Sequence, residues 1–188
     1  FDHYFGRLVE EVYGFDVDGV TSQMQNPDEN GKPVHAYSEA RYCLGDPDHS
    51  WDAMHLAWNE GRNDGFVRQS GSSAMGAFGK KDLNYYYALA NHFAIADRYF
   101  SSVLGPTFPN RLYSVAASSF GQIKNETRLH LSQRTILDLL AKYNISWKVY
   151  HKSPSIFMLF PGLYFGNLFR FAGYSQLQKD LTSGQLPA

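Results

Sequence analysis

The chain of 188 residues has a single cysteine, no excess of charge of either sign and no long uninterrupted apolar run. Because Cys43 is alone, no intrachain disulfide can form, and a lone thiol is most often a packing residue. Lys and Arg total 17 against 18 Asp and Glu, a net charge of −1, so neither a nucleic-acid surface nor a polybasic membrane patch is expected. The apolar fraction of 44% suits a substantial core, which excludes a disordered chain.

The most apolar stretch, residues 156–171, is broken by a proline, two glycines, an asparagine and an arginine. It falls short of the roughly 20 clean residues that a transmembrane helix needs. Its many aromatic side chains have two interpretations. They form either a lip that contacts lipid beside an active site or ordinary core and interface packing, and the rarity of exposed apolar patches favours packing. Any contact with a membrane surface is therefore expected to be transient.

Residues 104–111, Leu-Gly-Pro-Thr-Phe-Pro-Asn-Arg, hold one hydroxyl between two prolines. Pro106 and Pro109 fix their own φ angles and bias the preceding residue away from the helical region, so Thr107 is predicted in a stiff connection. If a helix begins near Pro109, its free N–H groups and positive dipole end suit a phosphate or another tetrahedral anion. The alternative interpretation is a Gly-Pro turn followed by a Thr N-cap.

Helical and strand-like patterns follow one another closely in the second half of the chain. Apolar residues at helical spacing predict a helix over 132–143, with Ser132 as N-cap and Asn144 as stop, and then a strand over 145–150. A helix followed at once by a strand is half of a crossover unit. The expected fold class is therefore α/β, with a mostly parallel sheet flanked by helices.

A second such unit is predicted to pass through the hydroxyl candidate. Residues 85–93 have a helical pattern, and a short strand is predicted over 95–99. Ligands of open α/β sheets bind beyond the carboxyl ends of strands, which is where this interpretation puts Thr107. Residues 21–37, rich in Asn, Asp, Gly, Gln and Pro, are predicted to be a surface loop or insertion.

Five other segments accompany residues 104–111: Phe-Asp-His-Tyr-Phe-Gly (1–6), Asp-Pro-Asp-His-Ser-Trp (46–51), Trp-Asn-Glu-Gly-Arg-Asn-Asp-Gly-Phe (58–66), Tyr-Tyr-Ala-Leu-Ala (86–90) and Ser-Trp-Lys-Val-Tyr (146–150). In order and spacing they resemble the phosphoesterase family of bacterial phospholipases C and acid phosphatases. That family belongs to the alkaline phosphatase-like superfamily, whose α/β fold is then expected here. The resemblance covers nearly the whole chain. It is closer to the phospholipases C, because the hydroxyl residue is a threonine in a Gly-Pro-Thr setting.

The resemblance also implies an incomplete domain. Family members carry a metal-binding Glu-Asn pair a few residues before the motif at 1–6. They also have a second half, with two acidic metal ligands and active-site histidines, after a segment like 179–188. We therefore expect residues 1–188 to be the N-terminal part of a single phosphoesterase catalytic domain, inactive alone because a metal site needs its full ligand set. A genuinely shortened relative would look the same.

The site residues follow from the same resemblance. It implies that Thr107 is the nucleophile and one ligand of a divalent metal ion, since a threonine hydroxyl needs a base or a cation to favour its alkoxide. His49 is the second catalytic candidate, because an imidazole could donate to a phosphate oxygen or protonate the leaving alcohol. Asn110, Arg111 and His55 are candidate substrate-binding residues. Arg111 either pairs with phosphate oxygens or anchors the loop through a carboxylate.

Two neighbouring predictions concern orientation. Asp48 or Asp52 is expected to orient the His49 ring. The tyrosine triplet 85–87 could suggest an aromatic cage for a choline headgroup. Consecutive helical residues point in different directions, however, so a role in the core is favoured.

Three functions stay open at this point. The first is a metal-dependent phospholipase C that releases a phosphorylated headgroup from phospholipid. The second is an acid phosphatase that acts on soluble phosphomonoesters, and the third is a non-catalytic envelope module that kept the fold and lost the metal. The resemblance implies a secreted, periplasmic or cell-envelope protein whose partner is a phospholipid or phosphate ester, and not a nucleic acid.

Overall fold

The structure, a computed structural model, describes the following residues: 2–12, 16–126 and 131–187. Phe1, which opens the first motif, and Ala188, the last residue of the predicted N-terminal part, lie outside the described residues. The chain divides into two compact units, Phe1–Gly105 and Pro106–Ala188. In the part described, no helix is both long enough and apolar enough to cross a membrane.

The first unit is built from short helices and two strand pairs. Its helices α1 to α5 are Asp2–Phe5, Leu8–Glu11, Trp51–Trp58, Phe66–Ser70 and Asn84–His92, and two 3-10 turns lie at Asn59–Gly61 and Ser72–Met75. Its strands β1 to β4 are Gln25–Pro27, Pro33–His35, Tyr37–Ser38 and Gly76–Ala77. β1 pairs antiparallel with β2, and β3 pairs parallel with β4. The helix predicted over 85–93 is confirmed as α5.

Residues 21–37 are not the surface loop that was predicted, because they contain the β1–β2 hairpin. Asp28 Oδ1 holds the turn by accepting from the N–H groups of Asn30 and Lys32, both at 2.9 Å. Asn26, only 6% exposed, anchors the hairpin by accepting from the N–H of Val67 at 3.1 Å. The polar residues that suggested a loop thus make the turn and its anchor.

The core of the first unit forms around Leu8, Tyr87 and Ala90. Tyr87 is 1% exposed while Tyr85 is 67% exposed, so the tyrosine triplet points in different directions, as helical geometry requires. The strand predicted over 95–99 is not formed; Ile95 instead packs against this core. Cys43 is exposed, so the prediction that it is a packing residue was wrong.

The second unit has four α-helices and one strand pair in its described part. Helices α6 to α9 are Thr107–Ala116, Ile136–Lys142, Pro161–Gly166 and Tyr174–Ser183, with 3-10 turns at Ile156–Leu159 and Leu168–Arg170. Strands β5 and β6 are Val149–Tyr150 and Phe171–Ala172, and they pair in parallel. Leu112 of α6 packs with Leu159 and Phe160 as the buried core.

The described strands fit an α/β fold only in part. They form three two-stranded sheets, of which two are parallel and one is antiparallel. An extended, mostly parallel sheet is therefore not found in this part of the chain. The strand predicted over 145–150 is shortened to β5, because its backbone pairs only where β6 runs beside it.

α7 begins later than its apolar pattern predicts. The N-cap is Thr135 and not Ser132, since Thr135 and Asp138 form a capping box in which the Thr135 N–H donates to Asp138 Oδ2 at 2.7 Å. Beyond its end, Asn144 takes a left-handed φ of 56°. That conformation ends a helix, so the predicted stop is confirmed.

The apolar stretch 156–171 serves two purposes. Phe160 is 1% exposed and belongs to the core, whereas Phe165 is 68% and Phe169 74% exposed. Packing is therefore confirmed for Phe160, and a lip that contacts lipid stays a prediction.

Candidate active site

The predicted nucleophile lies on the first turn of α6, a helix of 10 residues. Pro106 is the N-cap, with an extended φ of −74° and ψ of −175°, and Thr107 is the first helical residue. The helix thus begins two residues before Pro109, which is accommodated because a first-turn residue needs no N–H. Thr107 is exposed, and its hydroxyl has no hydrogen-bond partner within residues 2–12, 16–126 and 131–187.

The start of α6 has fewer free N–H groups than a typical helix. Pro109 has no N–H, and the N–H of Phe108 donates to Asn125 Oδ1 at 2.9 Å. Asn125 comes from a loop 17 residues later in the chain. Of the backbone donors that could hold an anion here, the N–H of Thr107 is the first in the chain.

Asn110 and Arg111 lie on the same two turns, in different settings. The Asn110 side chain folds back and donates from Nδ2 to the Pro106 carbonyl at 3.0 Å, so its amide braces the turn that carries Thr107. Arg111 is exposed and makes no ion pair within the described part of the chain. Because Arg111 follows Thr107 by four residues, both side chains project from one face of the helix. This geometry favours the phosphate-pairing interpretation of Arg111 over the loop-anchoring one.

His49 belongs to the first unit, in the turn that leads into α3. Its Nδ1 lies 3.0 Å from the carbonyl oxygen of Pro47 and 3.9 Å from a carboxylate oxygen of Asp46, and its side chain is 52% exposed. A carbonyl only accepts, so Nδ1 carries the proton and Nε2 of the neutral ring is an acceptor. Neutral His49 therefore offers a base, and only the imidazolium offers a donor at Nε2.

Asp48 does not hold the His49 ring, contrary to expectation. Its carboxylate accepts from the N–H of Ser50 at 2.8 Å and from the hydroxyl of Ser50 at 3.1 Å. Both bonds lower the pKa of Asp48, and the bond from the backbone N–H has the larger effect. Ser50 in turn caps α3 by accepting from the Ala53 N–H. Asp48 thus fixes the start of the helix that follows His49.

His55 sits in the middle of α3 between two tryptophans. Its Nδ1 lies 2.8 Å from the Trp51 carbonyl oxygen, one turn earlier. Its ring centroid lies 4.2 Å from that of Trp51 and 6.0 Å from that of Trp58. The ring orientation is therefore fixed by its own helix, again with the proton on Nδ1 and the acceptor on Nε2.

The Ser-Trp-Lys-Val-Tyr segment has a structural role in the second unit. Lys148, immediately before β5, and Tyr150, on β5, both reach Asp180 of α9. Lys148 Nζ lies 2.6 Å from Asp180 Oδ2, and Gln176 donates to Oδ1 at 2.8 Å. Asp180 is 4% exposed. The hydrogen bonds from these donors lower its pKa to about 2, and the bond from Lys148 has the largest effect. Burial is the largest cause that raises the pKa of Tyr150 to about 12.

The described residues do not complete a metal site. They contain no group of three or more His, Cys, Asp or Glu side chains close enough to hold a metal ion. Thr107 would supply one oxygen, whereas hard divalent cations take about six or more oxygen ligands. The described residues therefore supply too few ligands to hold the expected divalent metal ion by themselves.

Asn125 is the residue at this site that sequence reasoning missed. No local spacing connects it to Thr107, because its contact with the Phe108 N–H depends on the path of the intervening chain. The other candidates divide between the units: Thr107, Asn110 and Arg111 belong to the second, and His49 and His55 to the first.

Comparison with known proteins gives consistent matches. A model of the phosphoesterase family matches residues 1–188. The hemolytic phospholipase C of Pseudomonas aeruginosa is 32% identical over 87% of this chain and 26% of its own length. Phospholipase C B of Mycobacterium tuberculosis is 33% identical over 80% of the chain and 35% of its own length. The non-specific phospholipase C6 of Arabidopsis thaliana is 30% identical over the whole chain and 40% of its own length. The chain thus spans between about a quarter and two fifths of these relatives.

Proposed function

The chain belongs to the phosphoesterase family, and from this premise we propose that the protein hydrolyses phosphoric esters through the Thr107 hydroxyl. The observation that carries the proposal is the exposure of Thr107 on the first turn of α6, with Arg111 one turn later on the same face. A nucleophile needs an open approach, and a phosphate needs a cation beside it. The start of α6 offers both.

The proposed reaction has two steps. Thr107 Oγ1 attacks phosphorus, the bond from phosphorus to the leaving oxygen breaks, and the leaving alcohol departs with a proton. Water then attacks the phosphothreonine, which releases phosphate or a phosphorylated headgroup and restores the hydroxyl. Arg111 would hold two phosphate oxygens through its planar guanidinium, and the amide of Asn110 would keep the helix start rigid.

The role of His49 stays a prediction from the family resemblance. As an imidazolium, it would donate a proton from Nε2 to a phosphate oxygen or to the leaving alcohol, while Nδ1 keeps its bond to the Pro47 carbonyl. His55 is proposed as a substrate contact through its Nε2, because its Nδ1 is bonded to the Trp51 carbonyl.

A divalent metal ion is also part of the proposal, on the strength of the resemblance alone. When bound, such an ion would favour the alkoxide of Thr107 and neutralise phosphate charge. Its further ligands would lie outside the described residues, so the metal dependence is a matter for experiment.

The proposed substrate is a phospholipid, cleaved as in phospholipase C, because each of the three relatives named above is a phospholipase C. The exposed Phe165 and Phe169 fit brief contact with a lipid surface. A secreted or cell-envelope location would suit this substrate. With a net charge of −1, the chain offers no attraction for nucleic acid.

The test uses the full-length protein with a choline phosphodiester and a simple phosphomonoester, each with and without chelator. Thr107→Ala is expected to lower kcat/KM at least about a thousand-fold, because the attacking atom is gone. Thr107→Ser keeps a hydroxyl and is the matched control. Mass spectrometry of a quenched reaction should find one added group on the peptide that contains Thr107: a phosphoryl group with the monoester and a phosphocholine group with the choline diester.

Each outcome selects a function. Chelator-sensitive cleavage of the diester, lost in Thr107→Ala, supports the phospholipase C. A preference for the monoester would make the protein a phosphatase with the same nucleophile. Full activity of a well-folded Thr107→Ala would refute the nucleophile, and no turnover on either ester would favour a non-catalytic module.

A further inference from the structure

The two units of the chain carry opposite net charges. Residues 106–188 contain nine Lys and Arg but only three Asp and Glu, a net charge of +6. Because the whole chain is at −1, residues 1–105 are at −7. The near-neutral total is thus the sum of an acidic unit and a basic one. Such a charge asymmetry between two halves of a chain indicates interaction with a membrane or a nucleic acid.

The basic character of the second unit is strongest around its aromatic stretch. Residues 139–179 contain no Asp or Glu, and their cationic residues are Lys142, Lys148, Lys152, Arg170 and Lys179. The two acidic residues that flank this range are occupied. Asp138 accepts from the Thr135 N–H at the start of α7, and Asp180 is buried against Lys148. Of the five cations, only Lys148 forms an ion pair with a described residue.

Apolar side chains are exposed at one turn of the same range. Phe165 lies on α8, and Leu168 and Phe169 lie on the 3-10 turn that follows. Their exposed fractions are 68%, 51% and 74%. We call residues 165–169 the apolar turn. A contiguous group of large exposed apolar side chains, unlike a single one, marks a surface that binds a partner.

Arg170 attaches the apolar turn to the core and places a cation beside it. Its guanidinium carbon lies 5.2 Å from the ring centroid of Phe169 and 4.9 Å from that of Trp147. Trp147 is 6% exposed, and its carbonyl oxygen accepts from Arg170 Nη1 at 3.3 Å. Exposed apolar side chains with cations around them are typical of segments that lie in the interface of anionic membranes.

We propose that the second unit docks on a phospholipid surface that contains anionic lipid. Phe165, Leu168 and Phe169 enter the headgroup region, and the lipid charges attract the cations of residues 139–179. The choice of a lipid surface rests on the proposed function, whose substrate lies in such a surface. The inference goes further, because the docking lipid is defined by its negative charge and can differ from the lipid that is cleaved.

The test measures the binding of full-length Thr107→Ala, in which the proposed cleavage of the lipid is blocked. The probes are vesicles of phosphatidylcholine alone and of phosphatidylcholine mixed with phosphatidylserine, and co-sedimentation gives the partition coefficient. We expect tighter binding to the mixed vesicles, and weaker binding as salt is added, because ions screen the attraction. Adding Phe165→Ser and Phe169→Ser should lower the partition coefficient at least about ten-fold, because both lose apolar area that would be buried in lipid. The Tm should not change, since both side chains are exposed.

The matched control is the pair Phe93→Ser and Phe100→Ser in the acidic unit. These phenylalanines are 71% and 78% exposed, so the chemical change is the same and only the location differs. This pair should leave vesicle binding unchanged. Phe165→Trp with Phe169→Trp keeps aromatic side chains suited to the membrane interface and should retain binding.

Several results would overturn the proposal. They are an absence of vesicle binding, equal losses in the two serine pairs, and binding that does not depend on phosphatidylserine. A lower Tm of the Phe165→Ser and Phe169→Ser protein without a loss of lipid binding would also do so, because it would show that other parts of the chain cover the apolar turn. Single-stranded DNA that displaces the vesicles through the same residues would assign the surface to nucleic acid instead. Vesicle binding needs no turnover, so a wild type that binds mixed vesicles but hydrolyses no ester would refute the proposed hydrolysis while this inference holds.

Discussion

Arg111 is the residue whose surroundings bear most directly on substrate charge. Its guanidinium is exposed, has no carboxylate partner in the described residues and lies one turn after the Thr107 hydroxyl. A guanidinium left unpaired beside a nucleophile keeps its donors for an incoming anion. The same side chain, paired with a neighbouring Asp or Glu, would have been a structural anchor.

Arg111→Ala is therefore expected to lower kcat/KM in the full-length protein by about ten- to a hundred-fold, the range of a charge-assisted hydrogen bond. Arg111→Lys should recover only part of this loss, because an ammonium cannot form the two-pronged pair. Steady-state kinetics on a phosphodiester measure both. Arg134→Ala, which removes an exposed arginine elsewhere in the same unit, is the control, and equal losses in the two alanine variants would argue against a specific contact.

At this scale, residues within one motif could be predicted and contacts between distant segments could not. The resemblance put Thr107 and Arg111 in one motif, and the earlier start of α6 then places them one turn apart on the same helix. Asn125 was missed because its neighbour Phe108 lies 17 residues away. The orientation of His49 was also beyond prediction, because Pro47, Asp46 and Asp48 all offered oxygen atoms and only the turn geometry selects the Pro47 carbonyl.

Among the elements, α7 shows how a cap decides where a helix starts. Ser132 and Thr135 both have side chains that cap helices, and both precede the apolar run. Only Thr135 has an acidic residue three positions later. The Asp138 carboxylate accepts from the Thr135 N–H, and the Thr135 side chain accepts from the Asp138 N–H. The reciprocal pair satisfies two groups at once, so it outcompetes the single hydroxyl.

Thr135→Ala is expected to lower the free energy of unfolding by about 1 kcal/mol, the usual contribution of an N-cap. Ser132→Ala is its matched control and should change that free energy by no more than a few tenths of a kcal/mol. Urea unfolding followed by far-UV circular dichroism compares the two. The reverse order of effects would restore Ser132 as the cap.

Helices were predicted better than strands because their signals are local. α5 and α7 follow from apolar spacing within single segments. The strands predicted over 95–99 and 145–150 depend on partners that spacing does not reveal, and only Val149–Tyr150 finds one, in β6. The β1–β2 hairpin was not predicted, because the polar residues of its turn are typical of a loop and do not reveal that the flanking residues pair.

For the molecule as a whole, the cluster around Asp180 is one source of pH sensitivity. Lys148 holds the pKa of Asp180 at about 2, below the value of about 3.9 for an unfolded chain. The ionised carboxylate thus stabilises the folded chain at any pH above about 4. That contribution is lost as the pH falls from about 4 to about 2.

Asp180→Asn is accordingly expected to lower the urea midpoint at pH 6, where Lys148 loses its counterion, and to converge with wild type as the pH approaches 2. Tyr150→Phe should differ instead in alkali. The pKa of Tyr150 is raised to about 12, so wild type loses stability between about pH 10 and 12. The phenylalanine variant should lose less, since of the two tyrosines whose pKa is raised to about 12 only Tyr87 remains. A gap between Asp180→Asn and wild type that stays constant from pH 6 to 2.5 would contradict the assignment.

The use of Asn125 in the helix start has a consequence for how the protein is produced. Asn125 opens the triplet Asn-Glu-Thr, an acceptor for N-linked sugars in eukaryotic secretory pathways, whose Thr127 lies outside the described residues. A sugar is attached through Nδ2 of this side chain. Glycosylated material from yeast or insect cells would thus carry an oligosaccharide beside Thr107, whereas material from a bacterial host without that pathway would keep the site bare.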